Sequence, residues 1–304
     1  MVNSPIAVLK ESKLDFAKMV QTAPSSFFEP FLQKSKSNSD KEQYPVLLTL
    51  PGMKEFTDKI GFSDQAMKYF EVVNKKYYNG FAVDYDTMSD SKGVLGSTVE
   101  TWVKGIVDDY PVYLQRKIQA ELEANGTWVD GAAFFVATRA NYLDTGDNVI
   151  NNLATGTLSS AYTYATFSND FQLAYNQMAA MKDKNNNPFN PDMSSITCIV
   201  PSHMKFIAEY VLGSNMGLVY SSGTISNQFA GQAKVVVNTF QSASNNDWYF
   251  VNDKSPFKPI LVQEREAPKW NYEDDFESQL HKYSFTTRFA VKLLSPFGIV
   301  KVNN

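Results

Sequence analysis

The side chains able to do acid–base, nucleophilic or metal chemistry are few in this 304-residue chain, and their spacing gives none of them a working partner. There are two histidines, His203 and His281, and neither has a cysteine or second histidine at zinc-ligand spacing. The single cysteine, Cys198, excludes an internal disulfide and a cysteine-rich metal site. It sits in the apolar run Ile196-Thr197-Cys198-Ile199-Val200, which reads as a buried structural thiol. No G-x-S-x-G elbow, G-x-x-x-x-G-K-[ST] loop or G-x-G-x-x-G turn occurs. Carboxylates adjoin at Asp108-Asp109 and Glu273-Asp274-Asp275, but neighbouring acids point apart on a helix or strand, which fits a solvated face. The expectation is no catalytic residue, no cofactor and no metal. A hydrolase built on an acid pair from distant positions stays open as an alternative.

The bulk composition fits a protein that buries and joins surfaces. Hydrophobic residues make up 43% of the chain and aromatics 14%, with 22 Phe and 16 Tyr. Such side chains favour cores and the centres of interfaces. A formal charge of −4 argues against tight sequence-independent binding to nucleic acid, though not against enclosing it. No apolar stretch approaches the ~20 residues that span a bilayer. The opening MVNSPIAVLKESKLDF has no signal-peptide apolar segment, so a cytosol-like compartment is expected.

The elements read as follows. Residues 1–43 form a weakly structured arm, polar over Gln33 to Lys41 but apolar at Phe27-Phe28-Glu29-Pro30-Phe31-Leu32. Either it is ordered on a neighbouring subunit or it packs on its own domain. Met67–Val73 and Tyr77–Tyr85 alternate like two strands around a turn at Asn74-Lys75-Lys76, a hairpin that needs packing from elsewhere. Apolar residues then recur at helical spacing from Leu95 through Trp102, Ile106, Tyr110, Leu114 and Ile118 to Leu122. A helix over 93–125 would be about 50 Å long, with Pro111 kinking or interrupting it near Val107. Ser168 is placed to cap a further helix carrying Phe171, Tyr175 and Met178. Strands are expected at 196–200, 233–238, 248–252 and 260–264, a helix over 202–212, and an extended segment from 283 to 302. Helices and strands alternate without a βαβ repeat, so the class is α+β.

Several pieces, in order, resemble the major head subunits of Mu-like tailed bacteriophages. Tyr44-Pro45-Val46-Leu47-Leu48-Thr49-Leu50-Pro51-Gly52-Met53-Lys54-Glu55-Phe56 is similar to that family's aromatic-Leu-Gly-x-Phe-Pro-x-Leu-Lys-Glu-Trp opening. Tyr69–Asp84 resembles its Tyr-x-x-x-Asn-Lys-x-aromatic segment, and Asp130-Gly131-Ala132-Ala133-Phe134-Phe135 its Asp-Gly-x-x-Phe-Phe. Thr197–Gly213, Asp247-Trp248-Tyr249-Phe250 and Lys258–Pro268 resemble its later units.

The resemblance implies a Hong Kong 97-type capsid fold. Residues 1–46 would be the N-terminal arm, 47–86 an extended E-loop, and 87–155 the peripheral domain with a spine helix at 93–125. Residues 156–270 would form the axial domain, and 271–304 the strand returning to the peripheral domain. It implies a non-catalytic subunit that forms hexamers and pentamers of an icosahedral shell around double-stranded DNA. The DNA would be enclosed without specific binding and without a membrane. Portal, scaffold and decoration proteins are the implied partners. The shell would assemble in the bacterial host cytoplasm and end in the virion. Phe27, Phe28 and Phe31 of the arm and Tyr69, Tyr77, Tyr78 and Phe81 of the hairpin, having no obvious partner in their own chain, are the candidate inter-subunit contacts. Arg265, between Glu264 and Glu266, reads either as an ion-paired strand end or as an inter-subunit salt bridge. An encapsulin-like compartment is the alternative that keeps the fold and changes the cargo.

Overall fold

The computed structural model describes residues 26–47, 67–86, 94–140, 149–157, 163–183, 187–213, 218–220, 223–225, 227–242 and 244–304. The first 25 residues of the expected arm and the 48–66 part of the expected E-loop, with most of the Tyr44–Phe56 motif, lie outside the described residues.

In chain order the elements begin with strands β1 (Leu32–Lys36), β2 (Lys41–Leu47), β3 (Met67–Val73) and β4 (Lys75–Asp84), then helix α1 (Val94–Ala124). Short strands β5 (Arg139–Ala140), β6 (Val149–Ile150) and β7 (Leu153–Thr155) lead to α2 (Tyr164–Ala180). Next come β8 (Ile196–Pro201), α3 (Lys205–Leu212), β9 (Leu218–Tyr220), β10 (Gly223–Ile225), β11 (Lys234–Asn238) and β12 (Trp248–Asn252). The chain closes with β13 (Ile260–Asp275), β14 (Leu280–Leu293) and β15 (Ile299–Asn303).

Two sheets organise the molecule. One has the order β11-β8-β12-β15-β7. Its central strands β8 and β12 are buried at every position, as their unbroken apolar runs require. α2 lays Phe167 on Trp248 (ring centroids 5.1 Å) and Phe171 on Phe250 (5.4 Å). Each fully buried aromatic of this kind contributes about 1.5–3 kcal/mol through removal of apolar surface from water. Cys198 lies in the middle of this core, and burial pushes its thiol well above the usual range. That fits the structural reading of the cysteine.

The other sheet has the order β1-β13-β14-β4, with β1 parallel to β13 and the remaining pairs antiparallel. α1 lies against β14 through Tyr110 and Tyr113, whose rings meet Phe289 at 6.1 and 6.4 Å. Burial raises the Tyr110 phenol to about 12. Of the kink or interruption expected near Val107, the interruption does not occur, since the helix runs unbroken through Pro111. Pro111 forfeits one backbone bond, while Val107, Ile118 and Leu122 bury one face of the helix on both sides of it. The helix stops at Asn125, which takes φ +45° and closes on Phe135 through both side-chain atoms (2.6 and 3.1 Å).

Two further expectations are corrected, and the open choice over the arm is decided. β3 and β4 do not form a hairpin: β3 pairs with β2, and β4 pairs with β14. The arm segment from Phe28 onwards is integral, because Phe28 and Phe31 are buried in the main core and β1 joins the sheet. Finally, α2 is capped by Thr163 in a reciprocal capping box with Thr166, while Ser168 is inside the helix and donates to the Tyr164 carbonyl at 2.6 Å.

Candidate assembly surfaces

The expected hairpin fails at one residue. Asn74 is buried between β3 and β4, and its backbone N–H and both side-chain polar atoms are used. Its backbone N–H donates to the Asp40 carbonyl at 2.9 Å. Its side-chain amide donates to Ser37 Oγ (3.0 Å) and the Ser39 carbonyl (2.8 Å), and its Oδ1 accepts from Gln263 Nε2 (2.8 Å). A polar residue held this way is a fixed junction where the chain leaves one sheet for another. Lys75 and Lys76 therefore stand at the start of β4, not at an outer tip.

Beside this node, Asp40 accepts from both Arg265 and Arg288, and Arg288 also reaches Glu266 at 3.4 Å. Arg265 thus makes an ion pair within its own chain, as the strand-end reading expects. The β2–β3 hairpin is seated on the sheet by a small apolar cluster of Val72, Leu261, Ala290 and Leu294.

The candidate contacts divide into two groups. Phe28 and Phe31 are core residues, and Phe27 packs on that core with its ring 4.2 Å from Phe28. Tyr77 contacts Tyr113 (5.3 Å) and Phe289 (4.5 Å), and Phe81 contacts Trp102 (5.4 Å) and Tyr283 (4.9 Å). These side chains have partners in their own chain, so the premise for placing them at an interface is withdrawn. Tyr69 and Tyr78 are different: they are 61% and 82% exposed. Sequence reasoning passed over two more such residues, Phe206 on α3 (77% exposed) and Phe276 at the β13–β14 turn (82%). Phe206 falls outside the Met204-Ile207-Ala208-Val211-Leu212 face, which was a readable signal.

Among the described residues the chemistry-bearing groups serve structural contacts. Asp130 and Arg139 make a buried ion pair, with the guanidinium also donating to the carbonyls of Ala133 (2.6 Å) and Phe134 (2.9 Å) and lying 4.7 Å over Trp128. It fastens the loop after α1. His203 Nε2 meets Asn246 Oδ1 at 2.8 Å at the surface. His281 sits against Asp274 and the Tyr272 hydroxyl (2.9 Å), and stacks on Tyr85 at 4.2 Å, tying the end of β4 to the β13–β14 tip. Among the described residues no group of three His, Cys, Asp or Glu side chains is placed to hold a metal. An open cleft of about 390 Å³ lies between α1 and β4, lined by Tyr77, Tyr78, Asp109 and Tyr113.

A folded body with bare aromatics on several faces fits a subunit that meets copies of itself, and the comparison with known families agrees. A family model described as phage capsid protein matches residues 71–302, well over half of the chain. The chain belongs to the phage capsid protein family. It is a major capsid protein, a structural subunit of an icosahedral shell rather than an enzyme. A search of curated proteins finds no match.

Solved structures place the capsid protein in the Hong Kong 97-type fold. It is similar to a subunit of the bacteriophage PhiM1 mature capsid, with TM-score 0.58 and 11% identity over 92% of this chain and 87% of that one. Against the bacteriophage JBD30 procapsid the TM-score is 0.53 with 16% identity, over 98% and 75% of the two chains. A virus-like particle from Pyrococcus furiosus gives 0.51 with 11% identity, over 97% and 98%. At such low identity the likeness speaks to fold alone.

Proposed function

We propose that this capsid protein assembles into hexamers and pentamers whose closed shell encloses double-stranded DNA, and that it is of the Mu-like kind. The family match over 71–302 supports shell building most directly. The Mu-like reading rests on the ordered motifs from Tyr44 to Pro268.

In this reading β2, β3 and the intervening 48–66 serve as the E-loop, so the E-loop ends at the Asn74 junction and not at residue 86. The sheet β1-β13-β14-β4 with α1 acts as the peripheral domain, and the sheet β11-β8-β12-β15-β7 with α2 and α3 as the axial domain. Tyr69, Tyr78, Phe206 and Phe276 are the aromatic contacts between subunits. Contacts of a few kcal/mol each suffice, because every subunit engages several neighbours. Scaffold, portal and decoration proteins complete the head, with assembly in the host cytoplasm.

A subunit of net charge −4 does not hold DNA by affinity, so filling depends on a motor and counterions. Sedimentation of the expressed protein with and without DNA tests this. Fast-sedimenting particles that form without DNA support the reading. Particles that require DNA, or a DNA complex persisting at about 0.2 M salt, contradict it.

A further inference from the structure

β4 is the last strand of its sheet, so among the described residues no strand lies along its outer edge. Ten residues of exposed edge are a template for pairing with another chain. The direction of the edge groups follows from the register. Tyr85 N–H donates to the Gln279 carbonyl at 3.0 Å, and Asp84 stands opposite Leu280, so odd-numbered residues bond to β14. The even-numbered residues Lys76, Tyr78, Gly80, Ala82 and Asp84 direct their N–H and C=O groups outward. Those five side-chain positions also share the open face of the sheet, and all are exposed.

Their order is self-complementary. A two-fold axis perpendicular to a sheet passes through the midpoint of a residue and its own copy. With Gly80 on the axis, Lys76 of each copy opposes Asp84 of the other, and Tyr78 opposes Ala82. Moving the axis one residue either way sets Lys76 against Ala82, or against Asp86 beyond the strand end. Gly80 suits the centre, because a Cβ there would come within 2.7 Å of the Tyr283 carbonyl, and without one nothing projects where the two copies meet. Asp84 already accepts from the Asp86 amide at 2.9 Å, and a carboxylate has lone pairs for more than one donor.

We propose that two copies of this chain pair antiparallel along β4 about a two-fold axis at Gly80, making one continuous eight-stranded sheet across two subunits. Opposite charges directly across strands favour this register over its neighbours. The contact is isologous, so it closes at two copies. Icosahedral shells contain two-fold axes, and the inference rests on the shell reading only for the place such a contact takes.

The test is the full chain carrying Tyr78→Cys and Ala82→Cys, expressed, oxidised and run on a non-reducing gel, with particles scored by electron microscopy. Within one chain these positions are about 13 Å apart along a strand, too far for a disulfide, whereas across the proposed pair they are directly opposed. The expected result is a dimer band that vanishes on reduction. Tyr78→Cys with Asp84→Cys, shifted by one pair, should crosslink several-fold less. Lys76→Asp or Asp84→Lys alone, added to the first cysteine pair, should weaken its dimer band several-fold, and together they should restore it. Particles without a dimer band overturn the pairing and leave the shell reading standing. A dimer band supports the pairing whatever the particle count of this variant, and the shell reading is scored separately on the unsubstituted chain, where absent particles contradict it. A ladder of higher species marks a head-to-tail partner on this edge and overturns the proposal, as does an equal band from the shifted control.

Discussion

Gln263 donates a hydrogen bond to Asn74 at 2.8 Å across 189 positions of sequence, fixing the point where β3 gives way to β4. Replacing Asn74 with Ala leaves the buried Gln263 amide without the oxygen it donates to and removes one donor from Ser37 Oγ. The expected cost is about 1–3 kcal/mol, read from denaturant unfolding of the unassembled protein. An unchanged unfolding midpoint would count against the junction role.

The buried Asp130–Arg139 pair should show the asymmetry of buried charges. Arg139→Met alone leaves Asp130 uncompensated and should cost about 3–5 kcal/mol. Adding Asp130→Leu should recover part of that loss. Equal losses in the single and double variants would show that the cost lies in packing against Trp128, not in charge.

Tyr77 and Tyr78 are neighbours with opposite fates, since Tyr77 packs on Tyr113 and Phe289 while Tyr78 is 82% exposed. Tyr77→Ser should lower monomer stability by about 1–3 kcal/mol, whereas Tyr78→Ser should stay within about 0.5 kcal/mol. Tyr78→Ser, like Phe206→Ser, should instead reduce particle yield. Thermal melts of the subunit beside particle counts separate the two effects. Undiminished yield in both surface variants would remove these aromatics from the contact set.

The contrast shows what the sequence made legible. β8 and β12 were readable because an unbroken apolar run leaves little besides a buried strand, and α1 because its period holds over 31 residues. The β3–β4 hairpin was misread because Asn74-Lys75-Lys76 has local turn chemistry, while what decides its path is Gln263, far along the chain. Phe28 and Phe31 looked partnerless for the same reason: they are buried in a core assembled from distant segments. Among the candidate contacts, alternation marked Tyr69 and Tyr78, but it had no means of separating them from Tyr77 and Phe81, which face α1 and the sheet.

Acid should loosen the β13–β14 tip before the core. The Lys282 ammonium, followed by the Ser278 hydroxyl and amide, holds Asp275 well below the usual carboxylate range. The Tyr272 hydroxyl, followed by His281, lowers Asp274. A carboxyl more acidic in the folded chain adds stability above its unfolded value, near ~4, and loses it as pH falls through the folded value. Amide protection at the tip, taken relative to the intrinsic exchange rate at each pH, should therefore fall below about pH 4, and Asp275→Asn should flatten that dependence. A tip whose exchange ignores Asp275→Asn would contradict the assignment.

Cryo-electron microscopy of the full chain expressed without other phage proteins tests self-assembly most directly. Closed icosahedral particles, with the exposed ring of Phe206 or Phe276 buried against a second subunit, are the predicted result. A monodisperse monomer at high concentration under every assembly condition, with those rings still in solvent, would contradict it.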